Sequence, residues 1–115
     1  MKEERFKDWK LPKFDSNGWT IYGWRCQNPE GLKMGNKVDI GCFTYMNAKY
    51  GIEIGDNVQI GPHCTIHTDN TENDTHEKII IGKNSLIGSY TLILPGAIIP
   101  PNSKIKARSI IKGNK

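Results

Sequence analysis

The chain has 115 residues, of which 37% are hydrophobic and 24% are charged, and this length fits a single domain. Its formal net charge of +4 suits an anionic ligand but is too small to indicate a nucleic-acid-binding protein. No apolar run approaches the ~20 residues that span a bilayer, and the charged start MKEERFKDWK lacks the apolar core of a secretory signal. We therefore expect a cytoplasmic protein without a membrane span.

The first 33 residues lack the six-residue repeat that fills the rest of the chain. They are rich in aromatic residues, namely Phe6, Trp9, Phe14, Trp19, Tyr22 and Trp24. A coil of parallel strands leaves an unpaired edge at each end, and proteins cover such edges. We therefore predict that residues 1–33 form an N-terminal capping segment. In an alternative interpretation, Trp19 or Trp24 stacks on a ligand ring.

The cysteines are Cys26, Cys42 and Cys64, an odd number without CxxC spacing. This pattern predicts neither a disulfide framework nor a structural zinc site. Cys64 falls at an inward position of the repeat described below, where it acts as a small apolar residue. We expect no bound metal.

From Ile81 onward an isoleucine recurs at every sixth residue, and a small residue follows four positions after each of the first five. The isoleucines are Ile81, Ile87, Ile93, Ile99, Ile105 and Ile111, and the small residues are Ser85, Thr91, Ala97, Ser103 and Ser109. A period of six is typical of a parallel β-helix, in which each unit forms one short strand and a corner. Positions i and i+4 share one strand face, so both sets are predicted to point inward.

The same phase begins at Met34, shifts by two residues before Ile54, and is interrupted by 15 residues between Ile66 and Ile81. Three units make one triangular turn, so both insertions fall at one corner. The predicted fold is all-β: a β-helix domain over 34–115 with about four triangular coils and one loop excursion. The coils span 34–53, 54–80, 81–98 and 99–115. Two predicted stacks are Ile40, Ile60, Ile87 and Ile105, and Met46, Ile66, Ile93 and Ile111.

The segments IGDNVQIGPHCTI and IIIGKNSLIGSYTLILPGAIIP resemble the hexapeptide-repeat acyltransferases, and in particular their sugar O- and N-acetyltransferases. The resemblance implies a left-handed parallel β-helix and a homotrimer with the active site between subunits. It also implies transfer of an acetyl group from acetyl-CoA to a hydroxyl or amine of a sugar, sugar nucleotide or glycan. The acceptor, the type of transfer and the acyl chain length stay open.

Acetyl transfer to a hydroxyl needs a base, and histidine is suited to this near neutral pH. The three histidines, His63, His67 and His76, all lie in the second coil or its loop. Many sugar acetyltransferases of this group carry their catalytic histidine where this chain has Thr71. Some similar members share a histidine at the position of His63. Either one of these three histidines is the base, or the acceptor is an amine that needs little help from a base. Among the histidines we rank His63 first, His67 second and His76 third.

Two further sets of residues fit the implied ligands. Gly88, Ser89 and Tyr90 lie one predicted coil above His63, where their backbone can face the thioester arm of CoA. In the loop, Asp69, Asn70 and Glu72 are candidates to bind the acceptor. Basic residues gather in the last coil, where they can meet the CoA phosphates. These are Lys104, Lys106, Arg108, Lys112 and Lys115.

Two other functions remain as alternatives. One is a zinc enzyme similar to γ-class carbonic anhydrases, but those have two histidines five apart and a third upstream. The spacings here are four, from His63 to His67, and nine, from His67 to His76. The other is a β-helical assembly module without catalysis, which predicts no CoA binding.

Overall fold

A computed structural model describes residues 8–113, so Phe6 and Lys115, both named above, lie outside the described residues. The described chain winds through strands of two or three residues, and each coil strand pairs in parallel with the strand one coil above or below it. The prediction of an all-β fold built from stacked parallel coils is therefore confirmed. Among these residues, no helix is long and apolar enough to cross a membrane.

The coil strands form three parallel sheets, which are the three sides of the solenoid. Sheet 1 contains β1 (Arg25–Gln27), β4 (Tyr45–Asn47), β7 (Thr65–His67), β12 (Leu92–Ile93) and β15 (Ile110–Ile111). Sheet 2 contains β2 (Leu32–Met34), β5 (Ile52–Ile54), β10 (Ile79–Ile81) and β13 (Ile98–Ile99). Sheet 3 contains β3 (Asp39–Ile40), β6 (Gln59–Ile60), β11 (Leu86–Ile87) and β14 (Lys104–Ile105). A short antiparallel hairpin of β8 (Asp69–Asn70) and β9 (Thr75–His76) leaves the coil between sheets 1 and 2.

The predicted register of the aliphatic stacks is confirmed. Ile87 pairs with Ile60 below it and with Ile105 above it. In the other stack, Ile93 pairs with Ile66 and Ile111. The isoleucines in the middle of the solenoid are almost fully buried, as are the small residues Ser85, Thr91 and Ala97, whereas Ile105 and Ile111 are half-buried in the last coil. Large and small side chains thus alternate to fill a narrow interior.

The stacking begins earlier than the repeat predicts. Strand β1 pairs with β4, and Cys26 occupies the inward position below Met46. Residues 25–33 therefore already belong to the coil, within the segment 1–33 assigned to the cap. The sequence pattern does not reveal this because a cysteine stands where later coils have Met or Ile. The division into a cap and a β-helix domain stays a prediction.

Aromatic side chains pack beneath the first coil. Trp24 is 2% exposed, and the ring of Phe14 meets it edge to face with centroids 5.5 Å apart. Trp9 donates from Nε1 to the carbonyl oxygen of Val38 at 2.9 Å. Burial removes the Trp24 ring from ligand stacking, whereas Trp19 is exposed. These contacts close the lower end of the hydrophobic core.

The three corners of the solenoid differ in sequence, although two of them share one backbone conformation. At the asparagine corner, between sheets 2 and 3, Lys37, Asn57, Asn84 and Asn102 have positive φ. At the aromatic corner, between sheets 3 and 1, Phe43, His63, Tyr90 and Arg108 have positive φ as well. Asparagine adopts this left-handed conformation at low cost, whereas bulky residues rarely do. Both insertions, which lie within residues 48–51 and 68–78, fall at the third corner, which we call the loop corner, as predicted.

Candidate active site

The imidazole of His67 has a defined orientation at the end of strand β7. Its Nδ1 lies 2.5 Å from the carbonyl oxygen of Asp69. Because a carbonyl oxygen can only accept a hydrogen bond, Nδ1 carries the hydrogen in the neutral ring. Nε2 then presents its lone pair, which is the form a general base needs.

Thr68 anchors the loop that follows His67. It is fully buried, and its Oγ1 donates to the carbonyl oxygen of Asn47 at 2.9 Å. The same Oγ1 accepts from the backbone N–H of Tyr50 at 3.0 Å, and the Thr68 carbonyl accepts from the N–H of Glu77 at 2.9 Å. The hairpin is therefore fixed to the coil at both of its ends, and His67 lies on a rigid element.

A row of polar side chains lies below His67 on the outer surface of sheet 1. Asn47 is the pairing neighbour of His67 in the coil below, and its Oδ1 accepts from Nδ2 of Asn28 at 2.9 Å. The hydroxyl of Tyr45 donates to Oε1 of Gln27. We call the four residues Gln27, Asn28, Tyr45 and Asn47 the polar ladder. Burial raises the pKa of the Tyr45 hydroxyl, and the positive charge of Arg25 lowers it by a smaller amount.

The sequence does not reveal the polar ladder directly, because its two pairs of residues lie about one coil apart along the chain. A signal is present, since the outward positions of sheet 1 are polar up to His67 and apolar one coil above it. Those apolar residues are Leu92, which pairs with Thr65, and Leu94, which follows strand β12. His67 therefore stands at the boundary between a polar and an apolar part of one sheet surface.

A cleft of about 330 Å³ opens between the hairpin and the upper coils at the loop corner. We call it the loop-corner cleft. Asn70 and Glu72, both predicted to bind the acceptor, line the cleft. The third candidate, Asp69, is the strand neighbour of His76 in the antiparallel hairpin. The other lining residues are Asn73, Thr75, Glu77, Leu94, Pro95, Lys112 and Gly113.

His63 and His67 lie at opposite ends of strand β7, since His63 precedes the strand by two residues and His67 is its last residue. The ring of His63 is held between two aromatic rings at the aromatic corner. The centroid of Phe43 is 5.1 Å away, and that of Tyr90 is 4.8 Å away with an interplanar angle of 2°. The two faces of the imidazole are thus in contact with neighbours, and its edge faces solvent.

His76 lies on the hairpin strand β9 and is exposed. Its ring stacks on Tyr50 with a centroid separation of 4.7 Å. This contact joins the two insertions of the loop corner. The structure therefore brings His67 and His76 to the same corner, whereas His63 lies with the predicted CoA-binding segment.

That segment lies where the sequence predicts, because Tyr90 stacks directly above His63. A Cβ on Gly88 would lie 2.3 Å from the backbone nitrogen of Ala107, so only glycine allows the coils to approach here. Of the basic candidates, Lys104, Lys106 and Arg108 are exposed in the last coil. Their assignment to CoA stays a prediction. Within residues 8–113, no group of three or more His, Cys, Asp or Glu residues is arranged to hold a metal ion.

Comparisons with known proteins agree with this architecture. The chain is 34% identical over 112 residues to the galactoside O-acetyltransferase of Escherichia coli (strain K12), covering 83% of this chain and 51% of the relative. The chain thus spans about half the length of that relative. A solved structure of a mutant of AntD, an N-acyltransferase from Bacillus cereus in complex with dTDP and Coenzyme A, has a similar fold. Its TM-score is 0.54 at 16% identity, with 84% of this chain and 70% of that chain covered. No protein-family model matches.

The β-solenoid and its six-residue repeat are features that this chain shares with hexapeptide-repeat proteins. Both similar proteins are acyltransferases, and one of them modifies galactosides by its name. The three observations together fit a hexapeptide-repeat sugar acetyltransferase, so the resemblance predicted from the sequence is confirmed.

Proposed function

We propose that the chain is an acetyl-CoA-dependent acetyltransferase that modifies a hydroxyl group of a sugar, with His67 as the general base. The observation that carries the proposal is the hydrogen bond from His67 Nδ1 to Asp69. It leaves Nε2 as a proton acceptor at the edge of a polar surface. The 34% identity to a galactoside O-acetyltransferase supports a hydroxyl of a carbohydrate as the acceptor.

The proposed reaction proceeds in two steps. His67 Nε2 removes the proton of the acceptor hydroxyl while its oxygen attacks the thioester carbonyl carbon. The tetrahedral intermediate then collapses, the C–S bond breaks, and the protonated His67 returns the proton to the leaving sulfur. The products are an acetyl ester and free CoA, and His67 regains its starting form.

His67 supports this role better than His63, which the sequence ranks first. The ring of His63 is stacked between the aromatic rings of Phe43 and Tyr90. In contrast, His67 has hydrogen-bonding groups on two sides: the polar ladder lies below it, and the loop-corner cleft with Asn70 and Glu72 lies above it. His76 is held by Tyr50 beside the same corner and is suited to contact the acceptor rather than to act as the base.

The CoA site and the subunit arrangement are parts of the same proposal. The basic residues Lys104, Lys106 and Arg108 supply positive charge for the phosphates of CoA, and the AntD complex contains Coenzyme A. We propose that the chain forms a homotrimer and that CoA lies between neighbouring subunits. Exposed apolar side chains on the upper coils support such an assembly. They are Leu86, Tyr90, Ile98 and Ile110.

The direct test is an acetyl-transfer assay. Purified protein is incubated with acetyl-CoA and a panel of sugars that carry hydroxyl or amine acceptors. Release of free CoA thiol and a 42-dalton mass gain of the sugar, about one acetyl group in place of a hydrogen, are expected together. Titration calorimetry with CoA tests cofactor binding separately. If CoA does not bind and no sugar is acetylated, a non-catalytic assembly module becomes the better account.

A further inference from the structure

Positive and negative charges are separated along the solenoid. Four carboxylates lie on the loop that carries the hairpin: Asp69, Glu72, Asp74 and Glu77. No Asp or Glu follows Glu77 in the sequence, whereas cations continue through the upper coils. Those among the described residues are Lys83, Lys104, Lys106, Arg108 and Lys112. An anionic ligand is therefore favoured at the upper coils and disfavoured at the hairpin.

The loop-corner cleft lies on the acidic side of this division. Glu72 and Glu77 line it together with the amides of Asn70 and Asn73, and Lys112 is the cation in its wall. The carboxylate of Glu77 lies against the upper coil, since a Cβ built on Gly96 would be 2.8 Å from its Oε2. Gly96 has φ +83°, which a residue with a side chain rarely adopts. The backbone of the upper coil thus leaves room for this acid.

The cleft begins one coil above the proposed base. Leu94 lines the cleft and is the outward residue one coil above His67, because Ile93 pairs with Ile66. The volume of the loop-corner cleft, about 330 Å³, is at the lower end of the range for small-molecule clefts, which is roughly 300–1,000 Å³. This size suits a single sugar ring better than a sugar joined to a nucleotide.

We infer that the acceptor is a phosphate-free sugar, neutral or amine-bearing, and that it binds in the loop-corner cleft. This inference rests on the proposed acetyl transfer and narrows its acceptor. Amide and carboxylate oxygens accept hydrogen bonds from sugar hydroxyls or from an ammonium group. A phosphate in the same position would face the carboxylate of Glu72 and be repelled. Lys104, Lys106 and Arg108, which lie outside the cleft, are thereby left for the phosphates of CoA.

Saturation-transfer NMR tests the ligand class without depending on turnover. The probes are methyl β-D-galactopyranoside, glucosamine, glucose 6-phosphate and UDP-glucose, each added to the protein with CoA bound. We expect the first two to bind at least about tenfold more tightly than the phosphorylated pair. Tighter binding of glucose 6-phosphate or UDP-glucose would overturn the inference.

Charge reversal in the cleft provides the matched test. Glu72→Lys is expected to weaken glucosamine binding and to strengthen glucose 6-phosphate binding, each by about tenfold. Glu30→Lys makes the same change on an exposed turn of the first coil, outside the cleft, and should alter neither affinity. Equal behaviour of the two variants would show that the sugar binds elsewhere.

The acetyl-transfer assay separates the two proposals. If acetyl-CoA is consumed and phosphorylated sugars are the better acceptors, acetyl transfer stands and the inferred acceptor class is wrong. If glucosamine binds with the expected Glu72 effect but no acetyl group is transferred to any sugar, the acceptor class stands and the proposed function is wrong.

Discussion

The Nδ1 atom of His67 and the carbonyl oxygen of Asp69 are joined by a hydrogen bond of 2.5 Å. Asp69 begins the hairpin, so the path of the loop determines the orientation of the ring two residues earlier. The buried Thr68 between them bonds to Asn47 and Tyr50 of the coil below. The proposed base is therefore oriented by a backbone carbonyl group.

We predict that His67→Ala lowers the turnover of acetyl transfer by about 10²–10⁴-fold, with little change in CoA affinity. The acid limb of the pH–rate profile should disappear in this variant. Steady-state kinetics over a pH series and calorimetry with CoA provide the two measurements.

His63→Asn is the matched control for His67→Ala. Asparagine adopts the left-handed conformation that His63 has at φ 60°, as Asn57, Asn84 and Asn102 do at the asparagine corner. This variant should fold normally and keep most of its activity. A large loss in His63→Asn together with an active His67→Ala would assign the base to His63, as the sequence ranking has it.

The core register predicts a sharp contrast between two neighbouring positions. Ile87→Asp buries an unpaired carboxylate inside the coil, which costs several kcal/mol. Lys104→Asp places the same carboxylate on an outward position one coil above. We expect the first variant to be insoluble or unfolded and the second to melt like the parent protein. Equal melting temperatures would contradict the six-residue register.

Stability should fall in alkaline solution because of Cys26. Burial raises the pKa of its thiol to about 12, whereas an unfolded thiol ionises at about 8.5. Between these values the folded state keeps a proton that the unfolded chain has lost. The free energy of unfolding therefore decreases as pH rises, by up to about 1.4 kcal/mol per pH unit for this one group.

Urea unfolding at pH 8 and pH 10, with a reducing agent present, measures this effect. Cys26→Ala should show a smaller loss between the two pH values than the parent protein, although it is less stable at both. Cys42→Ala, at an exposed position, should keep the parental loss. An identical loss in all three proteins would exclude Cys26 as its source.

Light scattering at micromolar concentration should give three times the mass of the chain. The expected contact area includes Ile98 and Ile110, which are 62% and 60% exposed in the single chain. Replacing both with lysine should shift the mass toward that of one chain. Ile21→Lys, a change at a 91% exposed residue of the cap, serves as the comparison. A parent protein that is monomeric would refute the proposed trimer.

Much of the fold could be predicted because the six-residue spacing alone determines which side chains point into the interior. Every sixth residue faces the same interior, so the spacing alone fixed the pairing of Ile87 with Ile60 and of Ile93 with Ile66. The first coil was missed because Cys26 carries no aliphatic signature, although it stacks below Met46. The hand of the coil stays a prediction from the resemblance, since spacing is the same for either hand.

The candidate site was less predictable because it depends on contacts across coils. The bond between Asn28 and Asn47 joins residues nineteen apart in the sequence. The choice between His63 and His67 depends on which rings and carbonyl groups surround each imidazole. The positions of the histidines in the sequence do not give that information. The loop corner, in contrast, could be predicted from the two interruptions of the six-residue repeat.

The placement of both insertions at one corner bears on how such a protein can evolve. The chain is longer within residues 48–51 and 68–78, where it leaves sheet 1. In both coils it returns to the register of sheet 2, so Ile52 and Ile79 still pair. Loop length at this corner can change without disturbing the interior. New acceptor preferences can therefore arise by insertion and deletion there, while selection on the six-residue repeat preserves the scaffold and the proposed base next to it.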